Sequence, residues 1–202
     1  MLTHPPAGME CTVVETLHQG GCMTLYRALR PGGVSSVFLK VLDSRRCRPR
    51  DLERLRHEYE LGASLDSPRI LRPLALDTFH GMPALVLEDW GQPLERLLGA
   101  PMPVEEFLQL AVCLAAALAD LHLRGVIHKD LKPENVLVDR ATSEVKLAGL
   151  GIATRLPREQ QAARPPELIE GTLAYMSPEQ TSRMNRAVDS RSDLYSLGVT
   201  FF

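Results

Sequence analysis

The chain has 202 residues, 45% hydrophobic and 24% charged, with a net charge of −2. That is an ordinary globular balance, long enough to bury a core as one domain or two small lobes, and the near-neutral charge argues against nucleic acid or an anionic membrane as partner. Cys11, Cys22, Cys47 and Cys113 include no C-x-x-C pair, so spacing suggests neither a zinc site nor a disulfide framework, and isolated thiols suit a reducing cytosol.

The start, "MLTHPPAGMECT", lacks a basic region followed by an apolar run, so no signal peptide is expected. "CTVVETL" (Cys11–Leu17), "MTLYRAL" (Met23–Leu29) and "SVFLKVL" (Ser36–Leu42) are separated by glycine-rich turns at Gly20–Gly21 and Pro31–Gly33. Strand, turn, strand, turn, strand is an antiparallel meander. Asp51 is placed to cap an amphipathic helix, "LERLRHEYELGASL", with Leu52, Leu55, Tyr59 and Leu65 apolar. "RILRPLALDTF" and "PALVLEDW" read as two further strands around a turn at His80–Pro83.

Composition changes at Gly91–Pro93, and the chain becomes helical. Val104, Phe107, Leu108, Ala111, Leu114, Ala115, Leu118 and Leu121 fall on one helix face. The uncharged run Phe107–Ala119 is too short to span a bilayer. "NVLVD" and "EVKLAG" form a short hairpin around Ala141–Ser143, and the proline-containing stretch Leu156–Gly171 reads as a mobile loop. The expected organisation is a sheet-rich lobe at 1–90 and a helical lobe at 91–202.

"HKDLKPEN" (His128–Asn135) carries the chemistry. In one loop, Asp130 can orient and deprotonate a hydroxyl, Lys132 can neutralise a transferring phosphoryl group, and Asn135 can hold a metal ion. Phosphoryl transfer needs such groups because the protein contributes mostly positioning and charge stabilisation. The bland reading, a polar proline-containing turn, fits poorly with a string that follows an amphipathic helix and precedes a strand.

With "GMPALVLEDWG", "RGVIHKDLKPENVLV", "GTLAYMSPEQT" and "RSDLYSLGVTFF", the chain resembles a eukaryotic-type Ser/Thr protein kinase domain. It most resembles the N-terminal kinase-like domain of bacterial multidomain proteins that join it to an ATPase module and a sensor histidine kinase. The resemblance implies an α+β, protein-kinase-like, two-lobed fold. The second lobe is expected to be incomplete, since the chain stops inside the helix that begins near Asp193. It also implies ATP and Mg2+ as cofactors, a protein substrate or downstream ATPase and histidine kinase domains as partners, and a cytoplasmic location.

By the same resemblance Lys40 is the phosphate-gripping lysine and Glu58 its helix partner, with Glu60 the rival. Leu87 is the gatekeeper, and Glu88 to Trp90 form the adenine-binding hinge. Leu17, Gly20, Leu25, Phe38 and Leu137 complete the expected nucleotide contacts. Asp130, Lys132 and Asn135 are the catalytic positions, Asn135 also a metal ligand. Thr172 braces the catalytic aspartate, Asp193 braces the catalytic loop, and Ser177–Glu179 stands for the family's Ala-Pro-Glu.

Three departures cluster at the nucleotide. The glycine-rich loop, Gly-x-Gly-x-x-Gly-x-Val, is met by His18, Gly20, Met23 and Leu25. Phe38 stands where a small residue faces the adenine. Gly149 replaces the Asp of Asp-Phe-Gly and has no side chain to ligate magnesium. Two functions remain open: an ATP-dependent Ser/Thr kinase, and a pseudokinase that binds or regulates. A small-molecule phosphotransferase is a third, opposed by "GTLAYMSPEQ", which resembles a protein-substrate platform.

Overall fold

The computed structural model describes residues 9–33, 35–155, 158–159, 170–181 and 187–202. Most of the expected loop at Leu156–Gly171 lies outside the described residues. The chain forms two compact units, Met1–Ala63 with Arg72–Asp89, and Ser64–Leu71 with Trp90–Phe202.

The first unit is a five-stranded antiparallel sheet. Its strands are β1 (Thr12–Gly20), β2 (Met23–Leu29), β3 (Ser36–Leu42), β4 (Pro73–Phe79) and β5 (Met82–Glu88), in the order β1-β2-β3-β5-β4. The alternation of β3 explains its two faces. Val37, Leu39 and Val41 join Ala28, Phe79, Ala84 and Val86 in one apolar cluster. Phe38 and Lys40 point the other way, opposite Arg27 and Leu25 on β2 and Leu87 and Leu85 on β5. β1 is irregular around Leu17, which is buried where the register shifts between Thr16 and His18.

Helix α1 (Pro49–Ala63) begins earlier than the sequence suggests. Asp51 lies inside its first turn and accepts the Arg48 N–H at 2.8 Å, a reach-back cap rather than a leading one. Pro49 suits the first helical position because that N–H has no helical partner to lose. The buried face carries Leu55, Glu58, Leu61 and Gly62, whereas Leu52 and Tyr59 are only half-buried.

"RILRPLALDTF" is not one strand. Its second half is β4. Ile70 bridges in parallel to Leu147, and Leu71 N–H bonds the Leu147 carbonyl at 2.8 Å, both within the second unit. Pro73, with no N–H to donate, starts the strand where that loss is harmless.

In the second unit, β6 (Gln92–Pro93), β7 (Val136–Val138) and β8 (Val145–Leu147) form a three-stranded sheet, and β9 (Arg158–Glu159) pairs with β10 (Val188–Asp189). The β7–β8 turn is held by the Asp139 carboxylate on Ala141 N–H and by Ser143 N–H on the Asp139 carbonyl, both at 2.8 Å.

Helix α2 (Val104–Leu123) buries Leu110, Leu114, Ala117, Leu118 and Leu121. The face is rotated from the one expected: Val104 is 72% exposed and Leu108 55%, and Ala115 is exposed too. The apolar residues of this helix encircle more than one face, so periodicity alone does not say which stripe is inside. Helix α3 (Ser190–Phe201) is capped by Asp189, whose side chain accepts from Arg191 N–H. Phe201 packs edge-on to Phe107 at 5.6 Å between ring centroids. Among the described residues no helix is long and apolar enough to cross a membrane.

Asp120 on α2 accepts the Ser67 hydroxyl at 2.5 Å and Arg124 Nε at 3.1 Å. Arg124 first, then Ser67, holds this carboxyl below its ordinary value of 3.8. A depressed folded-state value means the contribution is fully present above pH ~4 and lost as pH falls through the lowered value. Asp120→Asn should therefore lower the unfolding free energy by about 0.5–1 kcal/mol at pH 7, the partial exposure keeping the figure small. The difference should disappear by about pH 2, and paired urea titrations at the two pH values check this.

Candidate active site

The residues of "HKDLKPEN" sit between two fixed points. Upstream, Ile127 exchanges both backbone hydrogen bonds with Thr154, at 2.8 and 2.9 Å. Downstream, Asn135 carbonyl accepts Ala148 N–H at 2.9 Å. Between them, the wholly buried Asp193 side chain accepts His128 N–H and Lys129 N–H, each at 2.8 Å, and lies 2.7 Å from the His122 ring. Lys129 sits at φ 69°, which turns the chain sharply just before Asp130, and its carbonyl accepts the Gln180 amide at 2.7 Å. His128 is fully buried, with Nε2 2.9 Å from the Ala148 carbonyl.

On this frame Asp130 meets three groups. Oδ1 accepts the Thr172 hydroxyl at 2.9 Å. Oδ2 accepts the Asn135 amide at 3.1 Å and lies 3.5 Å from Lys132 Nζ. Lys132 Nζ donates to the Thr172 oxygen at 2.6 Å, so that one hydroxyl accepts from the lysine while donating to the aspartate. Charge-assisted bonds of this kind are short and orienting. The arrangement holds a carboxylate and an ammonium side by side, both partly open to solvent.

Asn135 also donates to the Asp130 carbonyl, at 2.8 Å. Its amide lies over Gly149, which takes the left-handed conformation at φ 77°. A Cβ built on Gly149 would come within 2.4 Å of Asn135 Cγ and Oδ1. Real Cβ atoms do not approach so closely, so the place of a side chain at this position is already filled. The only cluster of three or more His, Cys, Asp or Glu ligand atoms among the described residues lies elsewhere, at Cys22, Cys47 and Asp51. Magnesium is usually held by one or two carboxylates together with substrate phosphates; Gly149 adds no oxygen donor beside the Asp130 carboxylate and the Asn135 amide.

Of the first-unit positions expected to meet a nucleotide, Leu25, Phe38, Lys40 and Leu87 share one sheet face. Lys40 Nζ bonds Glu58 Oε2 at 2.6 Å. Glu58 is buried and Glu60 exposed, so of the two carboxylates Glu58 is the one that reaches the lysine. Phe38 is fully buried, with the Arg27 guanidinium 5.3 Å over its ring. Arg27 is in turn held by Asp89 at 3.0 Å and Glu15 at 2.8 Å. Sequence inspection missed this stack, because it depends on the β2–β3 register that sets Arg27 opposite Phe38. Leu25 and Leu87 flank it and are buried. Glu88 Oε1 accepts Arg72 N–H at 2.9 Å, and Gly20 ends β1 opposite Met23.

In the second unit, Trp90 lies under Lys146 Nζ at 5.1 Å, and Leu137 is buried in β7. Glu179 accepts the Ser192 hydroxyl at 2.6 Å, a buried tie between the "SPE" segment and α3.

Residues 11–202 match the model of the protein kinase domain. Curated relatives include the serine/threonine-protein kinase PknL of Mycobacterium tuberculosis, 34% identical over 94% of this chain and 47% of that protein. Two others are from Myxococcus xanthus: Pkn1, 30% identical over 96% of this chain and 29% of that protein, and pkn2, 34% identical over 93% and 23%. The chain belongs to the protein kinase family; these relatives are Ser/Thr kinases. It spans less than half the length of these relatives.

Proposed function

We propose that this is a kinase-type domain that binds nucleotide weakly and transfers phosphate to protein hydroxyls slowly or not at all with magnesium, acting instead as a regulatory module. The observation that carries this reading is Gly149, which supplies no carboxylate and whose side-chain space is filled by the Asn135 amide. The Arg27–Phe38 stack supports it from the other unit, because a guanidinium held by two carboxylates covers the ring where the family places a small residue. In this reading the domain serves a bacterial signalling protein in the cytoplasm, passing its conformation to further domains such as an ATPase or histidine kinase.

Retained phosphotransfer is the second reading, favoured by one set of contacts. Asp130, Lys132 and Thr172 are mutually bonded, and Lys40 is paired with Glu58. In it, Asp130 takes the proton from a substrate hydroxyl while Lys132 and Lys40 offset phosphate charge.

Calorimetric titration with ATP, with and without magnesium, separates the two. The regulatory reading expects weak binding that magnesium does not improve. Phe38→Ala should tighten ATP binding by roughly tenfold, about 1.4 kcal/mol, while lowering stability by about 3–5 kcal/mol as a large buried ring is lost. Submicromolar affinity in the unmodified protein, strengthened by magnesium, would defeat it.

A further inference from the structure

Cys22 and Cys47 are far apart in sequence, and their spacing suggests no metal site. The fold of the first unit brings them together. Cys22 follows the Gly20–Gly21 turn at the start of β2. Cys47 lies in the connection from β3 to α1, and Asp51 in the first turn of that helix. The two sulfurs and one Asp51 oxygen all lie within 4.8 Å of one another. We propose that Cys22, Cys47 and Asp51 form a binding site for a thiophilic divalent cation of the zinc type, with the fourth position open to water.

Four features carry the assignment. First, Cys22 Sγ and Asp51 Oδ2 are 3.6 Å apart. Zn–S and Zn–O bonds of about 2.3 and 2.1 Å at a tetrahedral angle place sulfur and oxygen about 3.6 Å apart, so that edge of the polyhedron is already formed. Second, both thiols are free and half-buried, open enough for an ion to enter. Third, the backbone fixes the groups. The Cys22 carbonyl accepts Asp43 N–H at 2.9 Å and the Cys47 thiol at 3.4 Å, and Cys47 N–H bonds the Asp43 carbonyl at 3.0 Å. Fourth, Asp51 has an orienting outer contact: Arg48 N–H bonds Oδ2 at 2.8 Å, while Arg54 approaches the other oxygen at 3.8 Å. Such outer contacts set ligand direction.

Binding forms two metal–thiolate bonds and one metal–carboxylate bond, and the two thiol protons leave to solvent. The ion would tie the turn carrying Gly20 to the start of the helix carrying Glu58. Soft thiolates favour zinc-type ions over magnesium.

The test is titration of Zn2+ into the reduced, metal-free full chain against a chromogenic chelator, with Co2+ as a spectroscopic substitute. One equivalent should bind, and Co2+ should give a near-ultraviolet thiolate charge-transfer band. Cys22→Ser and Cys47→Ser should each abolish that band and weaken Zn2+ binding by at least ~10-fold, Asp51→Asn by ~10-fold or less. Cys11→Ser and Cys113→Ser should change neither. Because a variant can misfold, alkylation of the unmodified protein gives an independent reading: Zn2+ should shield Cys22 and Cys47 while leaving Cys11 and Cys113 as reactive as before. Binding that survives Cys22→Ser, a Co2+ complex without a thiolate band, equal alkylation with and without Zn2+, or a Cys22–Cys47 disulfide in protein as isolated would each overturn the proposal.

Discussion

Asp193→Ala should lower the unfolding free energy by about 3–5 kcal/mol, because it strands buried partners that no other group in the site replaces. The side chain has no solvent exposure and serves three contacts: the adjacent backbone N–H groups of His128 and Lys129, and the His122 ring. Removing it leaves both amide donors dry and opens a cavity between α3 and the loop. Asp193→Asn keeps one acceptor oxygen but sets an amide N–H against a donor, so its loss should be smaller but still measurable. The check is the denaturant midpoint of the three proteins at equal slope. A loss under about 1 kcal/mol in the alanine variant would mean that water or a loop shift satisfies those N–H groups.

The second large effect concerns phosphate transfer. From labelled ATP to the chain itself, or to a generic basic protein, the rate with magnesium should be at least ~10²-fold below that of a family member with an intact metal ligand, the size typical of removing one preorganised electrostatic group. Asp130→Ala should abolish whatever transfer remains. Gly149→Asp should not restore it alone. The new side chain would have to occupy φ 77° and displace the Asn135 amide, breaking that amide's bonds to Asp130. A destabilisation of about 1–3 kcal/mol should accompany the substitution. Robust turnover by the unmodified chain, in magnesium or manganese and lost on Asp130→Ala, would rule out the regulatory reading.

The strands of the first unit were legible because glycine turns punctuate them and β3 alternates cleanly, with Val37, Leu39 and Val41 on the packed face. The loop that brings Asp130, Lys132 and Asn135 together was legible because its residues are contiguous. The sequence could not show what the fold adds across distance. Ile70 and Leu71 look like the start of β4, yet they pair with β8, since an apolar run does not name its partner. Arg27 covers Phe38 only because the β2–β3 register sets them opposite each other. Gly149 reads as a missing carboxylate, but the space it leaves is taken by Asn135, a side-chain position that no pattern encodes. The rotated face of α2 has a simpler cause: Val104, Leu108 and Val112 are as apolar as the residues that turned inward.

The pairing of residues 69–71 with Leu147 also sets an order of events during synthesis. Arg69 to Leu71 leave the ribosome roughly 75 residues before their partner strand does, several seconds at about 5–20 residues per second. Until then the carbonyls and amides of this segment that pair with Leu147 are served by water. A chain arrested on the ribosome before Leu147 emerges should leave residues 64–71 open to protease, and one arrested well after should protect them.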